Sequence, residues 1–223
     1  KVEIVRSLHQ LNTRLFSYHR FFGAIAPFVR RVNEQQGRPA RVLELATGFG
    51  EFSLRCHALA ARKELSVEIT GSDIVPAYIE RARAEAQARG VKAEFKVLNA
   101  FALDVEPGAY DVVLVAQSMH HFSPGQLARM VAEASRIGAR VFVGVDGNRS
   151  LLLLSTIPAY GLFFGGRGRF DFAHDAFLST RKFYSEPELE LVAQLGAPEA
   201  RVAVRTSHPG YSILTAEFPE KAS

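Results

Sequence analysis

The feature that most constrains the fold is a regular alternation of strand and helix patterns between residues 41 and 146. Short apolar runs predict strands, and longer segments with apolar residues three or four positions apart predict helices. The predicted strands are 41–46, 66–73, 92–100, 110–118 and 139–146, and the predicted helices are 52–62, 75–90 and 124–138. Such alternation is typical of an α/β protein with a doubly wound, mostly parallel sheet. Ligands bind at the carboxyl ends of the strands in such sheets, so the residues after each strand are the candidates for function.

Two further segments complete the predicted fold. Apolar residues at helical spacing predict an N-terminal helical cap over residues 1–36. Near the C-terminus, segments 201–206 and 211–218 flank the turn sequence SHPG and predict an antiparallel hairpin at the sheet edge. The sequence therefore predicts one domain over residues 1–223, with a seven-stranded Rossmann-like sheet and a lid at 150–182.

Composition argues against several classes of protein. The 223 residues include one cysteine, Cys56, which rules out an intrachain disulfide and favours the reducing cytoplasm. The best candidate for a membrane span, residues 151–157, is too short to cross a bilayer. The net charge is +4, but Lys and Arg are scattered, whereas nucleic-acid binding needs a coherent basic patch. We therefore expect a cytoplasmic monomer or homodimer with no membrane span and no nucleic-acid partner.

The segment VLELATGFGEFS, residues 42–53, places Gly48 and Gly50 directly after the first predicted strand. Glycines at such a turn let the backbone approach a ligand closely. A triphosphate-binding loop would need a lysine after the second glycine, and none is present. The dinucleotide frame GxGxxG is a weak match, because Ser53 takes the place of its last glycine. No tyrosine has a lysine four residues further on, so the YxxxK pair of short-chain dehydrogenases is also missing.

The segment 44–50 instead resembles the acid-x-G-x-G-x-G motif of class I S-adenosylmethionine (SAM) methyltransferases, with alanine in place of the first glycine. The segment YDVVLVAQSMHHF, 110–122, is similar to that family's FD, apolar-run and LHH segment. Residues 174–197 contain a match to the S-x-R-x-aromatic-x-x-x-x-E-L segment of its small-molecule members. The resemblance implies SAM as the cofactor, bound at the ends of the first four strands. The cofactor-binding residues that it predicts are Glu44, Ala46, Thr47, Gly48, Gly50, Asp73, Ile74, Asn99, Ala100, Phe101, Gln117 and Ser118.

Two of these residues have side chains suited to the adenosine part of the cofactor. Asp73 ends the second predicted strand, and a carboxylate there can accept hydrogen bonds from both ribose hydroxyls. Dinucleotide enzymes use the same device, so Asp73 alone does not separate the two families. Asn99 stands where related methyltransferases often carry an acid, and its amide can both accept from and donate to adenine.

The candidate catalytic residues are His120, His121 and Asp146. The resemblance places a working histidine at the LHH position, and Asp146 ends the fifth predicted strand. A histidine there can take the proton of an acceptor hydroxyl while the carboxylate orients the imidazole. Consecutive residues on extended backbone point apart, so the two histidines should differ, and we favour His120. Structural roles, with the histidines capping a turn and Asp146 starting one, remain open.

The group with this LHH segment includes quinone methylases and natural-product O-methyltransferases, which implies a small apolar acceptor, aromatic or quinone-like. Aromatic residues interleave with glycines after the fifth strand and predict an apolar acceptor pocket under a lid, although they also suit a helix core. The predicted acceptor-binding residues are Tyr18, Tyr160, Phe164, Phe170 and His174. No cluster of acids and amides typical of a metal-dependent catechol methyltransferase is found, so no metal is expected.

Three alternatives remain open. The same residues would serve C- or N-methylation in the same fold. A non-catalytic SAM-binding module would keep the cofactor pocket without needing the histidines and Asp146. An enzyme that modifies nucleic acid would need a basic funnel and a base-flipping pocket, for which only the segment 165–170 gives a hint.

Overall fold

The structure is a computed structural model, and it describes residues 12–13, 16–150, 159, 174, 177–207 and 210–220. The helices are α1 (Ser17–Gln36), α2 (Glu51–Ala61), α3 (Pro76–Arg89), α4 (Pro124–Arg136) and α5 (Glu186–Gly196). The strands are β1 (Ala40–Leu45), β2 (Val67–Asp73), β3 (Glu94–Val97), β4 (Val112–Ala116), β5 (Val141–Gly147), β6 (Arg201–Ser207) and β7 (Tyr211–Glu217). Within this part of the chain, no helix has the length and apolar character needed to cross a membrane.

The seven strands form one sheet in the order β3-β2-β1-β4-β5-β7-β6. Strands β1 to β5 are parallel to one another, and β7 pairs antiparallel with both β5 and β6. The predicted mixed sheet with a C-terminal antiparallel hairpin is confirmed. The direction of strand order reverses between β1 and β4, so the carboxyl ends of these two strands flank the crevice where doubly wound sheets bind ligands.

Strand β4 lies in the centre of the sheet and is covered on both faces. Val112 and Leu114 belong to the core beneath α1 and α2, whereas Val113 and Val115 belong to the core beneath α4 and α5. All four side chains are inaccessible to solvent. The apolar run of this segment predicted a central strand buried on both faces, and the structure confirms it.

Most predicted boundaries shift by one or two residues, and three of the differences have an identifiable cause. Strand β3 is shorter than predicted because it lies at the sheet edge and pairs only with β2. Strand β4 ends at Ala116 because Gln117 adopts a left-handed backbone with φ 55°. Helix α1 begins after Phe16, which is also left-handed, and residues 1–11 of the predicted cap lie outside the described residues. The early end of β4 turns the following residues out of the sheet, toward the crevice.

Asp111 lies just before β4, at the end of the sheet opposite the crevice. It accepts hydrogen bonds from the guanidinium groups of Arg38 and Arg41 and from the Arg41 backbone N–H. Burial alone would raise the pKa of Asp111, but these hydrogen bonds outweigh it and lower the pKa to about 2. The acid of the YDVV segment therefore ties β4 to β1 and takes no part in the crevice.

Candidate active site

The loop between β1 and α2 has a left-handed backbone at Ala46, Gly48 and Gly50. A Cβ atom at Gly48 would meet no atom within 4 Å, so this glycine borders open space. A Cβ atom at Gly50 would lie 2.4 Å from the ring of Phe95, so packing alone requires glycine there. The sequence predicted ligand contacts at both glycines, and the geometry gives only Gly48 a free face.

Glu44 lies beneath this loop and is almost completely buried. Its Oε2 accepts hydrogen bonds from the hydroxyls of Thr47, at 2.7 Å, and Ser53, at 2.5 Å. Burial raises the pKa of Glu44 to about 7, and the two hydroxyls lower it only in part. Glu44 therefore holds the glycine loop from within the protein, and Ser53 is a partner that the motif did not predict.

The buried Glu44 should make folding stability depend on pH. Its pKa is about 7 in the folded protein against 4.5 for an ordinary glutamate, so the unfolded chain loses this proton first as pH rises. We expect the free energy of unfolding to fall by up to about 3 kcal/mol between pH ~4.5 and ~7 on account of this residue. Urea unfolding of the wild type and of Glu44→Gln at several pH values measures it, because glutamine does not titrate. The exposed Glu106→Gln is the control, and identical pH dependence in wild type and Glu44→Gln would contradict the prediction.

Asp73 joins the end of β2 to the glycine loop. Its Oδ2 accepts from the Gly48 N–H and its Oδ1 from the Val75 N–H, both at 3.0 Å. The next residue, Ile74, is 60% exposed, and Val97 at the end of β3 is 46% exposed. Large apolar side chains left in solvent beside a carboxylate and an open glycine suit a ligand with both an apolar ring and hydroxyl groups.

The segment after β3 carries three more of the predicted cofactor-binding residues. Asn99 is exposed, and its Oδ1 accepts from the Phe101 N–H at 3.0 Å, which leaves its NH₂ group and the second lone pair of Oδ1 to meet a ligand. Ala100 and Phe101 are half-buried, and the Phe101 ring packs edge-on against Phe122 with centroids 5.7 Å apart. This contact connects the segment to the turn after β4.

The side chain of Gln117 is occupied by the N-terminal segment. Its Oε1 accepts from Asn12 Nδ2 at 2.5 Å, and its Nε2 donates to Asn12 Oδ1 at 3.0 Å. Asn12 is buried and also hydrogen-bonds with Tyr18. The neighbouring Ser118 hydroxyl lies 3.4 Å from the Ala46 carbonyl oxygen, which brings the end of β4 to the glycine loop. Sequence analysis missed Asn12, because its partner is 105 residues away and no local pattern marks the pair.

His120 and Asp146 meet at the carboxyl ends of β4 and β5. The Asp146 Oδ2 lies 2.9 Å from His120 Nδ1 and also accepts from the His120 N–H at 2.9 Å. Its Oδ1 accepts from the Gly147 N–H at 2.8 Å. Both side chains are largely buried, at 9% and 6% exposure. Because the carboxylate accepts from Nδ1, the lone pair of a neutral His120 ring lies on Nε2.

The two histidines are not equivalent. They share the short turn Met119–His121, and their ring centroids lie 4.1 Å apart. His120 meets Asp146, whereas His121 is exposed. The structure therefore distinguishes two candidates that the sequence left close together.

The predicted acceptor-binding residues are only partly described. Tyr18 is buried and packs edge-on against Phe21, and burial raises the pKa of its phenol. His174 is exposed. The other three, Tyr160, Phe164 and Phe170, lie outside the described residues, as does most of the predicted lid. Among the residues that are described, no group of three or more His, Cys, Asp or Glu could hold a metal ion.

Comparison with known proteins shows what this chain is similar to. Residues 42–139 match the family model described as a methyltransferase domain. The demethylmenaquinone methyltransferase of Thermus thermophilus is 32% identical over 136 residues, covering 58% of this chain and 58% of that protein. The chain thus spans less than two thirds of the length of that relative.

Solved structures share the fold at lower identity. A SAM-dependent methyltransferase from Aquifex aeolicus superposes with a TM-score of 0.57 at 16% identity, over 85% of this chain and 89% of that one. The plantazolicin methyltransferase BpumL, solved in complex with SAH, gives 0.65 at 15% identity, over 96% and 90%. Residues 42–139 are therefore similar to a methyltransferase domain, and the chain shares its fold with solved methyltransferases.

Proposed function

We propose that the chain transfers a methyl group from SAM to a hydroxyl of a small apolar acceptor, with His120 as the general base and Asp146 behind it. The observation that carries this proposal is the buried hydrogen bond of 2.9 Å between His120 Nδ1 and Asp146 Oδ2 at adjacent strand ends. A histidine and a carboxylate so paired form the arrangement that activates a hydroxyl in many enzymes.

The cofactor site is proposed along the ends of β1, β2 and β3. Gly48 leaves open space at the loop, and Asp73 offers carboxylate lone pairs beyond its two backbone hydrogen bonds. Ile74 supplies an exposed apolar face for adenine, and Asn99 an amide for its polar edge. When bound, SAM would supply an electrophilic methyl group, and its sulfonium sulfur would leave as a neutral thioether.

In the proposed mechanism, His120 and Asp146 together handle the proton of the acceptor hydroxyl. Nε2 of His120 accepts the proton of the acceptor hydroxyl, which raises the nucleophilicity of that oxygen. Asp146 keeps the imidazole in the tautomer with a proton on Nδ1 and stabilises the positive charge that forms on the ring. Burial of the pair strengthens this electrostatic interaction by reducing solvent screening.

The proposed acceptor is aromatic or quinone-like. The match to a relative named demethylmenaquinone methyltransferase supports a quinone-like ring. C-methylation is the second candidate, because removal of a phenolic proton also makes the ring carbons nucleophilic, so the same His120–Asp146 pair would serve it.

Incubation of the purified chain with methyl-labelled SAM and a panel of phenols and hydroquinones tests the proposal. We expect label in at least one acceptor, and NMR of the product separates an O-methyl from a C-methyl group. An identical panel without enzyme controls for spontaneous transfer. Tight SAM binding with no transfer to any acceptor would contradict catalysis on this class and favour the non-catalytic SAM-binding module.

A further inference from the structure

We propose that Phe183 is a positioning residue that fixes the plane of the His120 imidazole, an inference that rests on the proposed base. The Phe183 ring packs edge-on against His120, with centroids 5.1 Å apart and an interplanar angle of 82°. Phe183 is 8% exposed, so this contact lies in the protein interior. The aromatic position of the S-x-R-x-aromatic segment is Phe183, and the motif alone gave it no role.

If only Asp146 held the His120 imidazole, the ring would still be able to rotate. The side-chain hydrogen bond joins one ring atom, Nδ1, to one oxygen, and the ring can still pivot about that contact. A pivot of this kind swings Nε2, on the far side of the ring, away from an acceptor. A rigid aromatic ring packed against His120 restricts this rotation.

The backbone around Phe183 is tied to both strand ends that carry the pair. Arg149, just after β5, donates from Nε to the Phe183 carbonyl oxygen at 2.7 Å. The Tyr184 hydroxyl donates to the carbonyl oxygen of Phe122, at the end of the histidine turn, at 2.7 Å. Phe183 is therefore fixed relative to Asp146 and His120 together, as a positioning residue must be.

Close packing at Gly147 is independent evidence that the position of the Phe183 ring is fixed. A Cβ atom at Gly147 would lie 2.2 Å from Phe183 Cε2 and 2.3 Å from Cζ. The ring thus lies directly on the backbone of the residue after Asp146, where any side chain would displace it. Gly147→Ala consequently tests the ring position without altering His120, Asp146 or Phe183.

The test compares Phe183→Ala, Phe183→Leu and Gly147→Ala with the wild type. We expect Phe183→Ala to lower kcat about five- to tenfold with SAM affinity unchanged, Phe183→Leu to lose less, and Gly147→Ala to resemble Phe183→Ala. NMR of ¹⁵N-histidine-labelled protein should show the His120 ring signals shifted or broadened in Phe183→Ala and Gly147→Ala. The control is Phe142→Leu, a fully buried β5 residue without a ring contact to His120, which should lower the melting temperature and leave the His120 signals in place.

The outcomes separate this inference from the proposed function. If Phe183→Ala lowers only the melting temperature, with His120 signals and kcat as in Phe142→Leu, positioning is wrong. A raised acceptor KM with unchanged kcat would make Phe183 an acceptor contact, which also overturns it. The NMR readout needs no acceptor, so it tests the effect of Phe183 on His120 even if His120 proves not to be the base.

Discussion

Replacing His120 with alanine is expected to lower kcat by about 10²–10⁴-fold while SAM affinity stays nearly unchanged. The variant removes the only ring nitrogen placed to accept a proton with Asp146 behind it in the described part of the site. Positioning of the reactants, which supplies roughly 7–11 kcal/mol in favourable cases, would persist, so residual activity is expected. Single-turnover kinetics with the best acceptor of the panel, beside calorimetry with SAM, measures both quantities.

Two matched variants sharpen this prediction. His121→Ala should be mild, because His121 is exposed. Asp146→Asn should lose less than His120→Ala, since an asparagine keeps one oxygen that can still accept from the His120 or Gly147 N–H. The dependence on His120 should also shrink for acceptors acidic enough to ionise unaided. Wild-type kcat in the double variant of His120 and His121 would mean that catalysis is positioning alone.

Replacing Asp73 with alanine is expected to weaken SAM binding by about 10²–10⁴-fold. The proposed carboxylate would accept from two ribose hydroxyls, and each hydrogen bond to a charged group is worth roughly 1.5–3 kcal/mol. The variant also frees the Gly48 N–H that Asp73 holds at 3.0 Å, so the loop loses its fixed position. Calorimetric titration with SAM measures the effect, and Asp73→Asn separates loss of charge from loss of shape.

Gly48→Val should abolish SAM binding. Gly48 has φ 57°, where a β-branched residue is strained, and its Cβ direction opens into the proposed ligand space. Gly108→Val is the matched control, because Gly108 has φ 74° and equally open surroundings but lies before β4, at the opposite end of the sheet. Equal SAM affinity in Gly48→Val and Gly108→Val would show that the space at Gly48 holds no part of the cofactor.

Much of the fold follows from the chain pattern. The alternation of strand and helix patterns predicted the parallel strands. The continuous apolar run at Val112–Ala116 predicted a central strand, because a strand without alternating polar residues must be covered on both faces. Polar residues at strand ends predicted where a site would lie, since parallel strands bring their carboxyl ends to one edge. The order of residue patterns along the chain was sufficient for these predictions.

Pairing of a histidine with Asp146 was predicted from the sequence, but other contacts within the site were decided by the tertiary structure alone. Asn12 reaches Gln117 across 105 residues, and Phe183 reaches His120 across the sheet edge, so no spacing in the sequence marks either pair. The sequence favoured His120 over His121, but the contact that separates them is tertiary. Adjacent residues carry identical side chains, and only the turn after β4 places one of them 2.9 Å from Asp146. Periodicity determines which residues share a face or an edge, whereas the choice of partner depends on how separate elements pack in three dimensions.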